Sequence, residues 1–123
     1  MTLHELKSTL QNHLTDGLVI VVGSGLSCAE GLPGMSELAE HLRMKLPEHL
    51  SADDLAIWEE LAASIQVVGL EAALLMHQTP AAIECAITKE TARLIVEGER
   101  KVIQEVFDGV RTLRLTRLIP HLV

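Results

Sequence analysis

Residues 21–35 read VVGSGLSCAEGLPGM, which sets four glycines and a proline directly behind the apolar run LVIVV. A chain that leaves a strand into Gly23-Ser24-Gly25 and then enters a helix has the parts of a phosphate cradle. Glycine lets the main chain come close to an anion, and the unpaired amides at a helix start supply positive potential. Ser24 and Ser27 add hydroxyl donors. The Lys-Ser/Thr pair of a P-loop is missing, which argues against a nucleotide hydrolase of that type. The next glycine after Gly25 is Gly31, too far on for the ordinary dehydrogenase fingerprint, and no second strand ends in an acidic residue for a ribose. On these residues alone, a purely structural turn is the competing reading.

The longer pattern is more restrictive. Gly23-Ser24-Gly25-Leu26-Ser27, a three-residue spacer, and Gly31-Leu32-Pro33-Gly34-Met35 together resemble the opening motif of the sirtuin family, usually written Gly-Ala-Gly-x-Ser-x-x-x-Gly-Ile-Pro-x-Phe. Gly23, Gly25, Ser27, Gly31 and Pro33 are identical to that motif, and Ser24 and Leu32 are mild changes. The resemblance implies the N-terminal part of a Rossmann-like domain that binds NAD or ADP-ribose. Gly23, Ser24, Gly25 and Ser27 would then face the ADP and pyrophosphate, with Pro33 and Met35 near the nicotinamide ribose. Met35-Ser36 stands where the deacylases carry Phe-Arg. GLPGMSELAEHL is instead similar to bacterial sirtuin-like proteins, many of which hydrolyse NAD, often in antiphage defence, and GLEAALLMH resembles a helical segment of that branch.

The match is close over residues 1 to about 40 and loose beyond them. The family's Thr-x-Asn-x-Asp segment, later Gly-Ser pair, catalytic histidine and four-cysteine zinc site have no counterpart in these residues. The resemblance therefore implies a piece of an NAD hydrolase, or alternatively of an NAD-dependent deacylase, that lacks the C-terminal half and does not turn over NAD alone. No catalytic residue is assigned. The parent chemistry would be cleavage of the nicotinamide–ribose bond through an oxocarbenium-like state, with the turn holding the pyrophosphate so that binding energy positions the reacting centre.

Positioning the turn falls to the flanking elements. Thr2 and Glu5 form a capping box ahead of Leu3, Leu6, Leu10 and Leu14, which predicts a helix over Leu3–Leu14. Leu18–Val22 is short, β-branched and bounded by glycine, the pattern of a strand buried on both faces, and predicts the one clear strand of an α/β fold. The alternative is its absorption into an all-helical bundle. Ser36 can cap a helix carrying Leu38, Ala39, Leu42 and Leu46 and stopped by Pro47. Ser51 and Asp54 open another, with Leu55, Trp58, Leu61, Ala62 and Ile65 on one face and a break near Gly69. Thr79-Pro80 starts a helix to about Phe107, capped by Thr79, with Ile83, Ile87, Leu94, Val102 and Val106 inward. Val110–Ile119, where leucines alternate with Arg111, Arg114 and Arg117, predicts a last helix.

These elements form one unit over residues 1–123, a partial NAD-binding domain with a helical subdomain at about 48–110. A lone buried-type strand and the apolar ending LIPHLV imply a fragment, self-association, or another chain that completes the sheet. A helical association module with a structural glycine turn is the reading from a different class.

Composition narrows the partners. A formal net charge of -7 and a pI near 5.3 leave no basic footprint for nucleic acid. Apolar runs such as Leu18–Val22 are far short of the roughly 20 residues that cross a bilayer. Two separated cysteines and a start without a secretory pattern fit a reducing cytoplasm. The histidines at 4, 13, 41, 49, 77 and 121 show no metal-ligand spacing and are expected on helix surfaces. Cys28 within the glycine segment is expected to be a small buried filler, Trp58 a core anchor, and Asp53 and Asp54 helix-opening acids.

Overall fold

The computed structural model describes residues 1–15, 21, 23–114, 116 and 117. In chain order the helices are α1 (Leu3–Thr15), α2 (Ser24–Ala29), α3 (Met35–Lys45), a 3-10 turn (Leu46–His49), α4 (Ala52–Val68), α5 (Leu70–Met76) and α6 (Ala81–Phe107). Among the described residues there is no strand and no sheet, and this corrects the expected α/β, Rossmann-like fold. The run Leu18–Val22 that carried the expectation lies outside the described residues except for Val21, which is exposed and belongs to no element. The physical reason is that β-branching and flanking glycines state a local preference, whereas a sheet needs a second extended segment to pair with. Among the described residues the other apolar segments are helical.

Helices alone close the core. Leu42 on α3 and Leu46 on the 3-10 turn meet Trp58, Leu61 and Ile65 of α4, Leu70 and Ala73 of α5, and Ile83 and Ala86 of α6. Gly69, with φ 87, takes the left-handed conformation that ends α4 and lets α5 start at once; its amide donates to the Ile65 carbonyl at 2.9 Å. Val102, further along α6, is buried outside this cluster.

Two helix starts follow the sequence closely. The Thr2 amide donates to Glu5 Oε2 at 2.6 Å while the Glu5 amide donates to Thr2 Oγ1 at 3.2 Å, a reciprocal box at the head of α1. The Asp54 amide donates to Ser51 Oγ at 3.2 Å at the head of α4, where Asp53 and Asp54 meet the positive end of the helix dipole. Ser51→Ala is expected to cost about 1 kcal/mol of folding stability, measured by urea denaturation.

Other expectations are corrected. α3 starts at Met35 with Gly34 as its cap, so Ser36 lies inside the helix, and it is Glu37 Oε2 that accepts from the Gly34 amide at 3.0 Å. Thr79 makes no capping bond; Pro80, extended at ψ 146, is itself the cap residue of α6. On α6, Ile83 and Val102 are buried and Ile87 and Leu94 half-buried, but Val106 is 38% exposed. α3 and the 3-10 turn pack on α6 around Ile83, Ala86 and Glu90, and among the described residues Val106 has no place in that core cluster. Within the expected last helix, residues 111–113 are irregular, while Arg114, Thr116 and Arg117 are helical and the Arg117 amide donates to the Leu113 carbonyl at 3.1 Å. Val110 is an exposed bend, and residues 115, 118 and 119 of that segment lie outside the described residues.

Candidate functional site

The glycine segment is more regular than a cradle loop. Gly23 is the extended cap of α2 at φ -103 and ψ 174, and its carbonyl accepts from the Leu26 amide at 3.0 Å. That bond removes one of the amides that an anion would have used. The amides of Ser24 and Gly25 donate to no described acceptor. Gly23, Ser24, Gly25 and Ser27 are all exposed. A Cβ at Gly23 or Gly25 would meet no described atom within 4 Å.

The second half of the segment is clamped. Gly31 has φ 95, and the Leu32 amide turns back to the Ser27 carbonyl at 3.0 Å. Arg111 reaches over Gly31, donating from Nη1 to the Glu30 carbonyl at 2.9 Å and from Nε to Glu105 Oε2 at 2.6 Å. A cation at the carbonyl end of α2 complements its dipole, which explains this arginine structurally. The Arg114 amide adds a bond to Glu30 Oε1 at 2.7 Å. Pro33 packs against α6 so closely that a Cβ at Gly98 would lie 2.9 Å from its Cδ.

The predicted residues divide into two groups. Met35 lines a cleft of about 480 Å³ together with Cys28, Gly31, Gly34, Ser36 and Glu37. Gly23, Ser24 and Gly25 stand outside it, at the head of α2, and Ser27 instead lines an apolar groove between α2 and α6. Pro33 serves as the wedge into α6 rather than as cleft lining. Cys28 is exposed, against expectation; its Sγ would sit 3.2 Å from a Cβ at Gly34, so a small residue there gives it room.

Sequence reasoning missed a charged cluster. Glu90 is buried in α6, with His41 Nε2 from α3 lying 3.0 Å from Oε2. His49 Nε2 from the 3-10 turn and Arg93 Nη1 lie 3.2 Å and 2.7 Å from Oε1. Burial pushes the Glu90 carboxyl up, but the hydrogen bond from His41 and the charges of Arg93, His49 and His41 outweigh it and hold the carboxyl below its ordinary 4.5. The available signal was Glu90 lying in line with Ile83, Ile87 and Leu94 on the inward stripe of α6. A carboxylate in that line needs partners from facing elements.

Among the described residues no group of three His, Cys, Asp or Glu side chains is placed to hold a metal ion. No described helix is long and apolar enough to cross a membrane. Compared with models of protein families, with curated proteins and with solved structures, the chain matches none of them.

Proposed function

We propose that Gly23–Met35 is the segment through which this chain binds the diphosphate of NAD or ADP-ribose, as part of a protein that hydrolyses the nicotinamide–ribose bond. The observation that carries the reading is the glycine at position 25, for which the described residues supply no conformational or packing reason. Gly25 has no positive φ and no described neighbour that a side chain would strike, whereas Gly23 also serves as the cap of α2, a position glycine suits. Gly25 lies in the first turn of α2, where glycine is less favourable than alanine by up to about 1 kcal/mol. An anion approaching the main chain at the head of α2 supplies the missing reason, since a Cβ would stand in its way. The exposed hydroxyls of Ser24 and Ser27, with the amides of Ser24 and Gly25 that meet no acceptor among the described residues, are the donors such a group needs. The sirtuin-like spacing of the segment gives the anion its chemical class. Met35-Ser36, in place of Phe-Arg, favours hydrolysis over deacylation.

The test uses opposite signs. Gly25→Ala is expected to raise folding stability by about 0.5–1 kcal/mol, because alanine suits the helix better. The same change is expected to weaken NAD and ADP-ribose binding by about tenfold or more in titration calorimetry. Gain of stability with unchanged affinity overturns the reading.

A second reading, association through helices, is favoured by one observation. Val96, Ile103 and Phe107 stand exposed on α6, with Phe107 at 84%. This reading predicts no rise in melting temperature with NAD, whereas a ligand that binds only the folded state must raise it.

A further inference from the structure

We propose that the outer side of α6 docks on the outer side of α4 in a second copy of this chain. The proposal rests on the association reading above, whose partner it names, and is independent of the NAD reading. On α6, Ala92, Val96, Ile103 and Phe107 recur at helical spacing and are all exposed, Phe107 at 84%. They lie on the side turned away from Ile83, Glu90 and Leu94, so this helix is apolar on two opposite sides. Such a helix is ordinarily covered on both. Lys89, Arg93 and Arg100 run along one edge of the outer stripe, and Glu99 stands on the other. Arg93 also pairs with Glu90 but keeps 56% of its side chain exposed.

α4 carries the counterpart. Its exposed side presents Ala52, Ala56, Ala63 and Val67, opposite Trp58, Leu61 and Ile65, which face the core. Three alanines leave a shallow surface that large side chains such as Ile103 and Phe107 can fill. Asp53 and Glu60 run along one edge of it. The Asp53–Glu60 and Arg93–Arg100 spacings both cover two helical turns, about 10 Å. Antiparallel docking brings the acidic edge beside the basic one, which fixes the register of the apolar contact. The occupant has to be another copy. α4 and α6 bury their inner sides in the same core cluster, so within one chain their outer sides point apart. A net charge of -7 sets whole copies against each other, and the cations of α6 turn that repulsion into attraction at this face. Each copy bears both faces, so the contact either closes on itself or continues from copy to copy.

Sedimentation equilibrium of the full chain tests this, in reducing buffer because Cys28 and Cys85 are exposed. The mass is expected to rise above that of one chain as concentration increases. Phe107→Ser, Arg100→Glu and Glu60→Arg are each expected to weaken association about tenfold or more. All three positions are exposed, so the circular dichroism spectrum should stay that of the unaltered chain. If Phe107→Ser does not fold, the two charge reversals still answer. The decisive sample is an equimolar mixture of Arg100→Glu and Glu60→Arg chains, because every α6–α4 contact between unlike copies again joins opposite charges. The mixture is expected to associate as the unaltered chain does, although neither variant does so alone. A mixture as weak as its components overturns the α6–α4 contact. Association that survives all three substitutions also overturns it and leaves the association reading intact. A mass that stays at one chain up to about 1 mM overturns both.

Discussion

Trp58→Ala is expected to lower folding stability by about 3–5 kcal/mol, the range for removing a buried large aromatic side chain. Its indole is almost fully buried and contributes the largest side chain of a core that otherwise consists of Leu, Ile and Ala. α4 carries Leu61 and Ile65 on the same side, so the loss opens a cavity at the centre of the cluster rather than at its rim. The hollow between α3 and α4 that Trp58 borders lets water reach the new cavity and limits collapse around it. Domains of this size are stable by about 5–15 kcal/mol, so the variant should be largely unfolded by mild urea. A midpoint shift equivalent to less than about 1 kcal/mol would show that the core does not close around Trp58.

Glu90→Ala is expected to cost about 2–3 kcal/mol. The carboxylate is buried, but Arg93 and His49 are 56% and 43% exposed at their side chains, so these partners regain water, and only His41, at 17%, stays largely enclosed. The full penalty of a stranded buried charge therefore does not apply. The same residue sets an acid limb. Because the folded-state value of Glu90 lies below 4.5, the unfolded chain binds this proton at higher pH than the folded chain does. Its contribution to stability is complete above that ordinary value and is lost as pH falls from 4.5 through the depressed folded value. Glu90→Gln keeps the side-chain shape and should flatten this part of the stability–pH curve. An unchanged acid limb in Glu90→Gln would show that other carboxylates produce it.

The helices were legible because leucines, isoleucines and alanines recur at three- and four-residue spacing, and because Thr2–Glu5 and Ser51–Asp54 carry cap chemistry that the structure realises. The fold class was not. LVIVV suggests a strand by residue type, yet residue type cannot say whether a partner exists, and the described residues hold none. Gly34 capped α3 in place of Ser36 because Glu37 lies three residues behind Gly34, where its carboxylate reaches back to the free amide. Glu90 shows the converse limit. Its place on an inward stripe was visible, but the histidines that satisfy it come from two other elements, and their arrival depends on how α3 and the 3-10 turn pack. For the glycine segment, spacing carried only a resemblance, whereas the helical state of Ser24–Ala29 emerged from the fold.

The clasp between Arg111 and the Glu30 carbonyl joins positions 81 residues apart. Most contacts in this helical chain are local and can form early, but this one spans about two thirds of the described length. The exit of the glycine segment is therefore fixed late in folding, after α6 has been laid down. During synthesis the motif would leave the ribosome well before its anchor, and would acquire its final geometry only when that distant arginine docks.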